Sequence, residues 1–162
     1  MSLAHPDAVA ARPALALNVE LSHGRPGASA RVELHERAAG DGGRPLGASR
    51  LARVALRGCI DAVATRRLAR LLDDLVARGA EHVLVDCAEL RHIDFRMVPA
   101  LVAAFEAIEA RSGGVVLRGL SRYLRDVFRM AGCEPDLRRW PSAADRFATS
   151  TCAPEPGRER TS

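Results

Sequence analysis

The spacing of apolar residues along this chain changes period several times, and each change marks an element. Residues 29–37 alternate, with Ala30, Val32 and Leu34 apolar between polar neighbours, which predicts a half-buried strand. A second strand is expected over 51–57, where Leu51, Val54 and Leu56 are apolar. The two can pair as a hairpin across 38–49, a loop by its content of Gly40, Gly42, Gly43, Pro45 and Gly47. After Asp61 the period lengthens. Leu68, Leu71, Leu72, Leu75 and Val76 fall on one helical stripe, with Arg66, Arg67, Arg70, Asp73, Asp74 and Arg78 mainly off it. Gly79 is placed to close that helix in a left-handed cap.

The short apolar run 82–87 reads as a buried central strand. A second amphipathic helix is expected over about residues 96–111, with Met97, Leu101, Phe105 and Ile108 at helical spacing, stopped by Ser112-Gly113-Gly114. Residues 115–118 form another strand. Ser121 then caps a third helix that turns Leu124, Val127 and Phe128 inward and ends at Gly132. A last edge strand over 137–140 and a short helix over 141–147, anchored by Phe147, complete the pattern. The order β-β-α-β-α-β-α-β-α implies an α/β domain: a small mixed sheet covered by about four helices. That domain spans 29–147. Residues 1–28, in which only 14–21 has strand character, read as a flexible arm, and 148–162 as a disordered tail.

Composition sharpens this picture in three places. With 48% hydrophobic residues but only 4% aromatics, the core must be aliphatic. No apolar run approaches the roughly 18–20 residues that span a bilayer, and the N-terminus lacks the basic start and apolar stretch of a signal peptide. A cytoplasmic protein without membrane insertion is the expectation. The net charge of +4 invites a nucleic-acid partner, but the detail argues against one. All 24 basic residues are arginine, which looks like a whole-chain bias, they are interleaved with acids, and no aromatic stacking platform accompanies them. Cys59, Cys87, Cys133 and Cys152 have no metal-ligand spacing and read as buried thiols, so no metal and no cofactor are expected.

Residues 54–147 resemble the STAS domain, the fold of bacterial anti-sigma-factor antagonists and of the cytosolic domain of sulfate transporters. Leu56-Arg57-Gly58-Cys59-Ile60-Asp61 is similar to a strand ending in Gly-x-Leu-Asp, and Val83-Leu84-Val85-Asp86-Cys87 to an apolar strand ending in Asp-Leu. His92-Ile93-Asp94-Phe95-Arg96-Met97-Val98-Pro99-Ala100-Leu101 sits where that family has Ile-Asp-Ser-Ser-Gly-Leu-x-x-Leu. Residues 114–119 followed by Leu120-Ser121 resemble its Gly-strand-Gly-Leu-Ser segment. In the antagonists the first serine after the aspartate accepts phosphate from a partner kinase, and the phosphate ejects the partner. Here that position is Phe95, followed by Arg96 and Met97 in place of the second serine and the glycine. Phosphorylation at that position is chemically excluded.

The resemblance implies a non-enzymatic interaction module with partner-binding residues Asp61, Asp94, Phe95, Arg96 and Met97. Three roles for the turn stay open: degenerate surface, an interaction hot spot, or an anion site at a helix start. Asp61 and Asp94, placed side by side by the resemblance, are each either helix caps or borders of the docking surface. No nucleophile, metal cluster or phosphate-cradling loop accompanies them, and His92 alone does not make an enzyme. The implied partner is a GHKL-type serine kinase acting as an anti-sigma factor. The alternatives are an ATPase subunit of an ABC (lipid) transporter, or a small ligand such as a nucleotide or lipid. A weak homodimer is left open. A phosphate switch elsewhere would fall to Ser112 or Ser121, the latter better explained as a helix cap.

Overall fold

A computed structural model describes residues 13–36, 50–112 and 114–137. Five strands lie in sequence order in one mixed sheet: β1 (Leu15–Ser22), β2 (Ala28–Glu36), β3 (Arg50–Ile60), β4 (His82–Ile93) and β5 (Gly114–Arg118). β1–β2 and β2–β3 are antiparallel, while β3–β4 and β4–β5 are parallel. The helices are α1 (Ala62–Ala77), α2 (Val98–Glu109), α3 (Arg122–Met130) and α4 (Glu134–Leu137), with a 3-10 turn at Phe95–Met97 before α2.

Period-two alternation sends one row of each strand into a shared core. Val32, Val54, Val85 and Leu117 form one such cross-sheet row, which Leu17 continues onto β1 at an exposed position. Against this face α1 buries Leu68, Leu72 and Leu75, α2 buries Leu101, Phe105 and Ile108, and α3 buries Leu124, Val127 and Phe128. Phe105 and Phe128 are the only aromatic rings among the buried hydrophobics of the described residues, so the core is aliphatic as its composition requires. Both expected glycine stops hold. After α1, Gly79 N–H bonds to Val76 C=O and Ala80 N–H to Leu75 C=O; after α3, Gly132 N–H bonds to Arg129 C=O and Cys133 N–H to Phe128 C=O. This is the double bond of a left-handed C-terminal cap, and both glycines have positive φ. Ser121 caps α3 through its Oγ, 3.2 Å from Leu124 N.

The structure departs from the pattern reading in four places. The stretch assigned to an arm contains β1 and the first residue of β2. β4 runs on to Ile93 instead of stopping at Cys87, because register shifts between β3 and β4 let Leu90 and Ile93 turn into the core at a spacing of three. α2 opens at Val98 behind a 3-10 turn, not at Arg96. Leu137, expected to begin a strand, ends α4. The expected loop over 38–49, the helix over 141–147, the tail, Cys152 and the remainder of the 137–140 strand lie outside the described residues.

Candidate functional site

Because β3, β4 and β5 are parallel, their C-terminal ends open on one side of the sheet, the side where open α/β sheets ordinarily place their sites. Ile60 pairs with Ile93 as the last residues of β3 and β4, and Asp94 N–H donates to Ile60 C=O at 2.9 Å. Asp61 and Asp94 therefore leave neighbouring strand ends together, as the resemblance implied. Asp61 is the N-cap of α1, its Oδ1 accepting from Ala64 N at 2.8 Å. Asp94 caps the 3-10 turn: Oδ1 accepts from Arg96 N at 3.0 Å. It leaves α2 without a side-chain cap. Pro99, one residue inside the start of α2, needs no N–H there.

The same carboxylate holds the Arg96 side chain in a two-point grip, from Nε to Oδ1 at 3.1 Å and from Nη2 to Oδ2 at 2.8 Å. The Arg96 guanidinium bonds, followed by the Arg96 backbone N–H, hold the Asp94 carboxyl below its ordinary value, and Asp94 in turn raises Arg96. Paired in this way, the turn carries little net positive charge toward solvent. Phe95 is 49% exposed and Met97 half-buried, so the ring stands at the surface while Met97 leans back on the domain.

Two neighbours escape a sequence reading. Six large hydrophobics are exposed among the described residues, and three stand at this one end: Val63 in the first turn of α1, Phe95 after β4, and Tyr123 in the first turn of α3. Tyr123 is fixed by His92, whose Nδ1 lies 2.6 Å from the phenol oxygen, with the rings stacked at 5.9 Å. The signal for this pair is weak, because the two are 31 residues apart and meet only through the β4–β5 pairing. Exposed large apolar side chains gathered on one surface mark interaction sites, whereas single scattered ones do not.

On the outer face of the sheet, Asp86 is nearly buried between Arg53 and Arg118, with Oδ2 at 2.9 Å from Nη2 of each. Burial alone would raise its pKa. Bonds from Arg53, Arg118 and Ala88 N–H outweigh burial and hold it at about 2. Burial and the adjacent Asp86 charge push the Cys87 thiol up to about 12, which leaves it an inert core residue. Asp86 has a lowered folded-state pKa, so its stabilisation is complete above its unfolded value of 3.8 and fades as pH falls through about 2. Asp86→Asn is expected to lower stability by about 2 kcal/mol at neutral pH and to flatten the acid loss between pH 4 and 2. Chemical denaturation across that range checks this; parallel curves for the two proteins would contradict it.

Cavities of about 300 and 550 Å³ lie on the outer face around Arg57, one lined by Asn18, Arg31 and Glu89 and another by Pro26, Gly58 and Arg91. Neither contains a residue of the strand-end site. No group of three or more metal-ligating side chains occurs among the described residues. No described helix is long and apolar enough to cross a membrane.

Residues 47–138 match the family model described as "Mlab, STAS domain". No curated protein matches the chain. Among solved structures, the chain is similar to the anti-sigma factor antagonist SpoIIAA in its unphosphorylated form (19% identity, 62% of this chain and 85% of that one, TM-score 0.47). It is also similar to the Bacillus cell fate determinant SpoIIAA in its phosphorylated form (20%, 62% and 88%, 0.44). A third is an anti-sigma factor antagonist from Mycobacterium paratuberculosis (18%, 73% and 92%, 0.45). The family match takes in β3 through α4, including both strand ends and the turn between β4 and α2, and on that match the chain belongs to the STAS domain family.

Proposed function

We propose that this STAS domain is a non-enzymatic regulatory module that docks a protein partner on the strand-end surface of Asp61, Asp94, Phe95, Arg96 and Met97, without phosphate control at that turn. The observation that carries this reading is the half-exposed Phe95 ring, at the same end of the sheet as the exposed Val63 and Tyr123, in a turn whose one guanidinium is already gripped by Asp94. An apolar ring beside an oriented arginine is a combination enriched at protein interfaces. It is a poor anion site, since a bound anion would have to displace Asp94. The partner class the resemblance favours is a GHKL-type serine kinase of the anti-sigma kind, and Phe95 offers that kinase nothing to phosphorylate.

The test is binding of the purified chain to the serine kinases and to the ABC ATPase subunits of its own genome, before and after incubation with the kinase and Mg-ATP. A kinase complex of unchanged affinity after incubation is expected. Binding lost in step with phosphate on Ser112 or Ser121 would overturn the phosphate-independent reading, and capture by an ATPase alone would move the module to a transporter.

A further inference from the structure

The outer edge of β1 is the least protected backbone of the described chain. β1 pairs with β2 on one side, and no described strand lies along the other. An unpaired edge offers N–H and C=O groups to any passing strand unless a proline, a lysine, an inward charge, a bulge or a short length blunts it. From Leu15 to Glu20, β1 has none of these. Leu15-Ala16-Leu17-Asn18-Val19-Glu20 carries one charge, at its end, and keeps unbroken register with β2; the only irregularity follows, between Glu20 and Ser22. Six such residues present a flat edge about 20 Å long. The opposite edge differs: β5 is five residues long and closes on the exposed Arg118.

The core is also open along this edge. Leu15, Leu17 and Val19 pair with Leu34, Val32 and Ala30, so they lie on the helix-covered face, where α1 packs over β1. Leu15 and Val19 are only partly buried against the core and Leu17 is 36% exposed, whereas their β2 partners are buried. Among the described residues, no strand covers their far side.

We propose that two copies of this domain join by antiparallel pairing of β1 with β1, making one continuous ten-stranded sheet. The occupant is a second copy because the strand is complementary to itself about a two-fold axis at Asn18. In that register Leu17 meets the second copy's Val19 and Ala16 meets Glu20, so apolar side chains face apolar ones on the helix side and the two Glu20 charges stay apart. A slip of one residue would set Leu17 against Asn18 and turn the second copy over, exposing both apolar rims.

The assembly is tested by sedimentation of the full chain across micromolar concentrations under reducing conditions, with Leu17→Lys and Asn18→Asp alongside. Asn18 is exposed on the outer face opposite Arg31, so an aspartate there leaves the core untouched and meets a like charge only across the two-fold axis. The wild type is expected to be dimeric, and each variant to dimerise at least about tenfold more weakly while unfolding as a native monomer. A wild type that stays monomeric, or a dimer that survives both substitutions, would overturn the proposal. This outcome is independent of what binds at the strand-end site.

Discussion

Gly58→Ala is expected to destabilise the domain by more than about 3 kcal/mol. Gly58 has φ +90°, a conformation that costs an L residue roughly 1–2 kcal/mol. A Cβ there would stand 2.1 Å from the Gly27 carbonyl oxygen and 3.3 Å from Ala28 Cα. Both contacts are backbone, so no side chain can swing aside. That oxygen accepts from Cys59 N at 3.0 Å, and Ala28, paired with Gly58, is buried. Relief therefore requires opening the β2–β3 register. Against a total stability of roughly 5–15 kcal/mol this is a large fraction, worth about 10 °C or more in Tm. The effect would also reach the site, since Asp61 follows Gly58 by three residues. Thermal and denaturant unfolding check it; a loss under about 1 kcal/mol would show that the hairpin yields more easily than its geometry allows.

The same glycine shows what a sequence can and cannot disclose. Gly58 stood out as punctuation within Leu56-Arg57-Gly58-Cys59-Ile60-Asp61, yet its partner, Gly27, lies in a stretch read as an arm. Local rules served where they were sufficient: the stripes of α1 and α3, the Gly79 and Gly132 stops and the Ser121 cap depend on neighbours within a turn. They failed where pairing sets the outcome. Past Cys87 the buried residues of β4 recur every third position, Leu90 then Ile93, a spacing that imitates a turn or helix until the shifted register with β3 explains it. The Asp86 grip on Arg53 and Arg118 joins side chains more than 30 residues apart and exists only through strand register.

The candidate site divided along the same line. The nearness of Asp61 and Asp94 came from the resemblance and is present in the fold, as is a surface position for Phe95. The sequence leaves the role of the turn open and does not show that the Arg96 guanidinium closes on Asp94, two residues away, as it does in the folded chain. The reason is that a 3-10 turn replaces the first turn of the expected helix and folds residue 96 back over its cap.

The proposed docking face centred on Phe95 makes a second large demand. Phe95→Asp removes the exposed ring and adds a third carboxylate beside Asp94 and Asp61. Arg96→Glu leaves Asp94 facing a like charge. Each is expected to weaken binding of the proposed serine-kinase partner about 100-fold, or roughly 2.7 kcal/mol, in the range of an interface hot spot. Both side chains are exposed, so stability should move by less than about 1 kcal/mol.

The most direct measurement is the affinity of these two variants for the partner that binds the wild type, with their melting curves recorded in parallel. Affinity lost in both at unchanged stability is the expected result. Wild-type affinity in both would place the partner elsewhere on the domain and remove the strand-end surface from its function.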